Sequence, residues 1–381
     1  MNGLLSEYAL KDIRLRNRIA ISPMTQYSCG PDGVFTDWHF VHLGARAVGG
    51  AGLVIVEQLA VSPEGRMTPA CAGLWSDEQV GALQRVTSFV KSVGSVPGVQ
   101  LGHAGRKSSL KRPWEGYEQL PSDHPAAWQA IGPSDIAYGG RIPIAPTAMT
   151  RDDIRAIQQK YAAATHRALA AGFEWMELHY AHGFLGASFM SPLANDREDE
   201  YGGNPENRAR FLVETFDVVR AIWPERLPLT VRIGATDFHP DSHTIEDSIA
   251  LVLTLKQHGM DLIDISMGIN SDVNNVPWGD RGFMVPAAAR IRAETQTQTA
   301  VSWNLGDPVY ADEIIRSGQV DLLMVGRPAL ANPHWPIYAA LALGQPLPYD
   351  HLPDQYRYFL NKSKDIAHVG AFGVSPTQPQ S

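Results

Sequence analysis

Cysteine is nearly absent: Cys29 and Cys71 are the two thiols in 381 residues, which excludes a disulfide framework and leaves too few thiolates for an iron-sulfur cluster. No Lys/Arg run interrupts a chain of formal net charge -8 and isoelectric point near 5.9. That balance argues against a nucleic-acid or anionic-membrane surface and leaves a small molecule as the expected partner. No apolar stretch approaches the length of a membrane span. The first twenty residues carry Glu7, Lys11, Asp12, Arg14, Arg16 and Arg18 without an apolar core, so a cytoplasmic protein is expected.

What is present is a core-forming composition, 44% hydrophobic, and a regular alternation of short β-branched runs with longer amphipathic ones. The strand candidates begin at Ile19, Leu53, Val99, Trp175, Leu229, Leu262, Ala300 and Leu322. Ser76 with Gln79, Thr150 with Asp153, and Thr244 with Asp247 have capping-box spacing, and Asp307-Pro308 and Asn332-Pro333 set a cap before a first-turn proline. After Thr150, the residues Ile154, Ile157, Tyr161, Ala164 and Ala168 make one apolar stripe that Gly172 is placed to end. Eight such βα pairs predict a (β/α)8 TIM barrel over residues 1–343. A doubly wound open sheet is the runner-up, and it wants a glycine fingerprint after an early strand that is missing. Two segments exceed what a barrel needs. Lys111 to Met149 carries Trp114, Tyr117, Trp128 and Tyr138 and reads as a cap insertion over the site after strand three. Residues 344–381 read as an extended, proline-rich C-terminal tail, with an aromatic knot at Tyr356-Arg-Tyr358-Phe359 and a disordered end from Ser375.

Chemistry gathers at Met176-Glu-Leu-His179-Tyr-Ala-His182-Gly-Phe184-Leu. Alternating apolar positions before His179 read as a buried strand, and a turn begins at Gly183. Residues three apart on a strand point to opposite faces, so His179 and His182 converge only if the chain bends just after His179. The bend sets both imidazoles at the carboxyl end of a strand, where parallel-barrel enzymes keep their chemistry. Two neutral imidazoles there donate to a carbonyl oxygen, bind a metal, or are satisfied by loop carbonyls.

The other strand ends carry Pro23, Met24, Thr25 and Tyr27, then Gln58, Gln100, Arg232, Trp303, Gly306, Gly326 and Arg327. A metal-dependent barrel hydrolase wants several His and carboxylate ligands from different strands, and strand one offers none. The set suits a large planar polar ligand bearing a phosphate. Gln100 meets a heterocycle edge, Arg232 faces negative charge on a reduced ring, and Gly306 and Gly326-Arg327 follow strands seven and eight, where barrel phosphate sites form.

Further marks are Leu15-Arg-Asn-Arg-Ile-Ala, Gly102-His-Ala-Gly-Arg-Lys107, Ser191-Pro-Leu-Ala-Asn-Asp-Arg197, Asp199-Glu-Tyr-Gly-Gly203, Glu206-Asn-Arg208 and Val325-Gly-Arg327. With the histidine stretch, they make the chain resemble the Old Yellow Enzyme flavoproteins, in the branch of xenobiotic reductases and thermophilic-like ene reductases, from about Leu4 to Trp335. The resemblance implies FMN held non-covalently, NADH or NADPH as reductant, and reoxidation by an activated alkene, a nitro compound or a quinone. It implies flavin contacts at Pro23, Met24, Thr25, Gln58, Gln100, Arg232, Gly326 and Arg327. His179 and His182 match the pair that binds the substrate's oxygen, and Tyr27 a further substrate contact; Trp303, by its place at the end of strand seven, is read as a wall of the substrate pocket. The resemblance also implies a homodimer or dimer of dimers, with Arg357, Tyr358 and Phe359 reaching a partner's site.

Three departures stand out from the family's pattern. Thr25 replaces a flavin-side cysteine, Gln58 a small residue, and Phe184 the tyrosine that donates the final proton. A flavin-dependent desaturase or isomerase, or a metal-dependent hydrolase, are the alternative readings.

Overall fold

The computed structural model describes residues 3–364, and within it eight parallel strands close into a barrel. In chain order these are β1 (Ile19–Ile21), β2 (Leu53–Ala60), β3 (Val96–Gly102), β4 (Trp175–Tyr180), β5 (Leu229–Gly234), β6 (Leu262–Ser266), β7 (Thr299–Val301) and β8 (Leu322–Val325). Each pairs with its chain neighbours, and β8 closes on β1 where Leu323 lies beside Ile19. All eight residues of β2 are buried, as a strand covered on both faces requires. The expected barrel is therefore the one found.

Helix starts follow the caps. Thr150 and Asp153 form a capping box before Arg151–Ala170, Thr244 and Asp247 do so before Ile245–Gln257, and the Asp307 carboxylate accepts from Val309 N–H at the start of Pro308–Arg316. The Ser76–Gln79 box opens a 3-10 turn that leads into Val80–Ser92. The stripe from Ile154 to Ala168 is buried, and Gly172 adopts φ 82. Asn332-Pro333 does not open a helix. Asn332 instead ends Arg327–Ala331, and the next helix runs Trp335–Ala342.

Two further differences from expectation have local causes. β2 continues past Glu57-Gln58 to Ala60 through a register shift against β3 between Ile55 and Gln58. A three-residue antiparallel hairpin, Tyr8–Leu10 with Ile13–Leu15, precedes the barrel, and its short alternation is too brief to read as a strand pair.

The segment from Lys111 to Met149 crosses the carboxyl face of the barrel. Trp114 packs edge-on against Tyr27 after β1, Trp128 Nε1 donates to Glu64 O after β2, and Tyr138 Oη donates to Ser271 O after β6. The described part of the tail is folded rather than extended. Tyr349 and Leu352 pack on Ile337, and a helix forms at Asp354–Lys362 with Tyr358 and Phe359 exposed. The Ser375–Ser381 stretch lies outside the described residues. Among the described residues no helix is long and apolar enough to cross a membrane.

Candidate active site

His179 and His182 meet as expected, though the bend falls later. β4 runs straight through Tyr180, and His182 and Gly183 then turn at φ 61 and 71. Gly183 is obligatory: a Cβ there would lie 2.3 Å from Ile269 O and 3.0 Å from the Lys107 stem. The turn leaves His179 Nε2 and His182 Nδ1 3.1 Å apart with the rings nearly perpendicular. Each ring is tethered on its far side, His179 Nδ1 by Ala181 N–H at 3.2 Å and His182 Nε2 by Ser266 Oγ at 2.7 Å. Lys107 Nζ donates to His182 O at 2.8 Å, which pins the turn.

Burial, with Arg232 and Lys107 nearby, holds His179 well below the usual imidazole range. Burial, with His179 and the same two cations, does so for His182. Both are neutral at physiological pH. Burial likewise lowers His42 to about 3, His103 to about 4 and the Lys107 ammonium to about 7. A measurable acid lability follows for the four histidines. Below their ordinary pKa near 6.5 the unfolded chain takes up protons that the fold refuses, so stability falls as pH drops from about 6.5 toward the folded values. The expected slope is about 1.4 kcal/mol per pH unit for each such group. Glu177 and Asp264, which burial keeps protonated to higher pH, act in the opposite sense over this range, so the histidines are read individually: their imidazole NMR signals should stay those of neutral rings from pH 7 to pH 5, and rings that titrate near 6.5 overturn the assignment.

Beneath the pair lies a charged layer. Arg232 on β5 pairs with Asp264 on β6 at 3.0 Å and donates to the hydroxyls of Ser22 at 3.2 Å and Ser302 at 2.8 Å. Gln100 Nε2 donates to Glu177 Oε1 at 2.8 Å, and Gln58 lies beside Gln100 in register. Burial raises both Glu177 and Asp264, their mutual repulsion adds for Glu177, and Arg232 opposes in each case. Glu177 and Asp264 interrupt the apolar runs Met176-Glu-Leu and Ile263-Asp-Ile, a signal that marks both as buried charges worth attention.

A cavity of about 570 Å³ opens above this layer. Pro23, Met24, His182, Arg232, Trp303, Gly306, Gly326 and Arg327 are among the residues that line it. Eight of the anticipated residues thus line one cavity. Thr25, Gln58, Gln100 and His179 lie outside the lining, although His179 touches it through His182 and Gln58 and Gln100 adjoin the charged layer. Phe184 and Tyr27 form a separate apolar cluster with Met67, Cys71 and Ala104, and the Phe184 ring centre sits 4.9 Å from that of His179. Trp303 follows β7 in the left-handed backbone region, φ 81, with its indole Nε1 donating to Ser266 Oγ at 2.8 Å and the Arg327 guanidinium 5.4 Å from its ring. Ser22, Ser266, Ser302 and Lys107 were not foreseen. Serines at strand ends look like turn residues, and only their partners reveal them.

The profile of the NADH:flavin oxidoreductase / NADH oxidase family matches residues 6–343. The NADPH dehydrogenase of Geobacillus sp. (strain WCH70) is 41% identical over 344 residues, covering 90% of this chain and 94% of that one. Among solved structures, morphinone reductase in complex with tetrahydroNAD aligns with TM-score 0.73 and 26% identity over 90% of this chain and 91% of that chain. A 2-naphthoyl-CoA reductase shares the fold at TM-score 0.80 and 22% identity, and the match takes in 89% of this chain but 52% of that longer one. Barrel and relatives agree: the chain belongs to the NADH:flavin oxidoreductase / NADH oxidase family, the Old Yellow Enzyme flavoproteins, and is an NAD(P)H-dependent flavin oxidoreductase that works with FMN.

Proposed function

We propose that the enzyme reduces activated acceptors, the C=C bond of α,β-unsaturated carbonyl compounds or nitro and quinone groups, and that His179 and His182 bind the acceptor's oxygen. The observation that carries this reading is the pair itself: two neutral imidazoles with nitrogens 3.1 Å apart, each anchored from behind, at the rim of a cavity of cofactor size. Two N–H groups aimed at one oxygen stabilise the negative charge that grows on it as the β-carbon receives hydride, the role of an oxyanion hole.

FMN fits the remaining residues. The cavity lies within the roughly 300–1,000 Å³ usual for cofactor sites. Gln58 Oε1 is buried without a hydrogen-bond partner, which a ring N–H would satisfy. Pro23, Met24 and Thr25 would border the ring along β1, and Gln58 and Gln100 would meet its polar edge. Arg232, with two N–H groups on serine hydroxyls at the cavity, would face the pyrimidine end, while Gly306, Gly326 and Arg327 would take the phosphate. When bound, the flavin supplies the hydride. Trp303 and Tyr27 wall the acceptor's side in this reading, and Phe184 lies against His179.

The proton is the unusual part. Saturating an enone requires one at the α-carbon, and Phe184 has no hydroxyl. Tyr180 does not replace it, because it is fully buried with its Oη donating to Leu212 O at 3.1 Å. Quinone and nitro reduction leave charge on oxygen, where the histidine N–H groups stabilise it and water supplies the proton, so those acceptors are the faster ones. A homodimer or dimer of dimers belongs to the same proposal, with the exposed Tyr358 and Phe359 as the apolar surface a second copy covers.

The test is spectroscopic. The purified protein should show flavin absorbance that NADPH or NADH bleaches without air and that a quinone or a cyclic enone restores. No flavin absorbance, even after incubation with FMN, sinks the reading.

A further inference from the structure

Tyr27, read above as a wall on the acceptor's side, has no hydrogen-bonded tether of its own. Its ring packs with Met67, Cys71, Ala104 and Phe184 and meets Trp114 edge-on at 5.8 Å, but among the described residues nothing hydrogen-bonds its hydroxyl. Its backbone stands at φ 52, the left-handed region that a residue with a Cβ disfavours. The chain on either side must hold it there.

That hold is visible at Gln26 and Ser28. Gln26 N–H donates to Glu57 Oε1 at 3.2 Å, the Gln26 amide donates to Met24 O at 2.8 Å and accepts from Trp38 Nε1 at 3.1 Å, and Ser28 Oγ donates to Gln26 O at 2.9 Å. Glu57 is the anchor that the barrel itself supplies. It lies within β2, 3% exposed, beside the Gln58 that pairs with Gln100 across the register shift. His39, on the helix Asp37–Val48, fixes the carboxyl group in turn. Thr36 N–H donates to His39 Nδ1 at 3.0 Å, so the ring's hydrogen is on Nε2, which faces Glu57 Oε1 at 3.3 Å and, less closely, Cys29 Sγ at 3.6 Å. Phe35 stacks on the same ring at 4.3 Å. Every donor in this chain of contacts meets an acceptor.

We propose that Glu57 is a positioning residue for acceptor binding, which by holding Gln26 N–H fixes the turn that carries Tyr27 to the acceptor's side of the site. This rests on the reading of Tyr27 given above. Glu57 acts through the backbone, on residues that follow β1, and the side chain it serves is one residue beyond its partner. The clamp also has an outer end, because Trp38 is 58% exposed while its indole N–H holds Gln26.

A double-mutant cycle on the FMN-loaded protein tests it, with the dissociation constant of phenol read from the flavin spectrum. Glu57→Leu should weaken phenol about tenfold, the upper range of one net hydrogen bond. In a Tyr27→Ala background the same change should cost less than about twofold, because the group it positions is gone. Glu57→Gln should stay within about twofold of the parent: its amide oxygen still takes both hydrogens, and its nitrogen falls where Oε2 has no hydrogen-bond partner. Should the leucine variant fail to fold, Trp38→Phe reads the clamp from the surface, with about a threefold loss that vanishes without Tyr27. Unchanged phenol affinity in Glu57→Leu, equal losses in both backgrounds, or a glutamine variant as weak as the leucine one overturns the proposal. Failure of the underlying reading looks different: Tyr27→Ala alone would then leave phenol affinity unchanged, which removes Tyr27 from the acceptor's site and the role of Glu57 with it.

Discussion

Phe184→Tyr should raise the rate of enone saturation by on the order of a hundred- to ten-thousandfold where proton transfer is limiting, the range a positioned general acid contributes. Quinone reduction should stay where it was. The ring of Phe184 is buried beside His179 at 4.9 Å between centres, close to where the acceptor's carbon skeleton would lie if its oxygen sits on the pair. A phenol at this position, with an ordinary pKa near 10, holds its proton until the α-carbon becomes basic. Its neighbours Met67 and Cys71 are soft side chains that yield to one added oxygen. The comparison is parent against variant on one cyclic enone and one quinone under identical conditions. If the parent already saturates enones rapidly and the tyrosine adds nothing, another group delivers the proton.

The second large effect is expected when His179 and His182 are both replaced by alanine. FMN should remain bound, because the Arg232 layer and the glycines after β7 and β8 are untouched. The charge-transfer complex with a phenol should weaken by roughly a hundredfold or more, since each hydrogen bond to a charged oxygen is worth about 1.5–3 kcal/mol. Phenol titrations followed in the visible spectrum decide it. An unchanged dissociation constant would show that the oxygen binds elsewhere.

The barrel was legible because its strands are covered on both sides, so Leu53-Val-Ile-Val and Leu322-Leu-Met-Val stand out as uninterrupted apolar runs between amphipathic helices. The histidine pair was legible because two imidazoles sit beside a glycine just past such a run. What could not be read is whatever depends on partners distant in the chain. Ser266 and Trp303 are 37 residues apart and Arg232 and Ser22 are 210 apart, so no local pattern announces either contact. The extension of β2 was hidden for another reason. Glu57 and Gln58 look like the polar end of a strand, yet both are buried inside it across a bulge. Asn332-Pro333 misled because an Asx side chain that accepts from the residue two ahead, here His334 N–H, serves a turn as readily as a helix cap.

The thiols bear on how the enzyme would tolerate the acceptors proposed for it. Unsaturated carbonyl compounds and quinones are electrophiles that alkylate cysteine, and only the thiolate attacks them. Cys71 packs in the apolar cluster with Phe184, yet burial pushes its pKa up to about 11, and burial raises Cys29 as well. Neither sulfur forms a disulfide, and Thr25, the residue past β1 proposed to border the ring, cannot react this way. Under the proposed function the site would confront Michael acceptors with hydroxyl, amide and imidazole groups and with no ionised sulfur. Turnover of reactive acceptors should leave the protein unmodified by them, in air as well as without it.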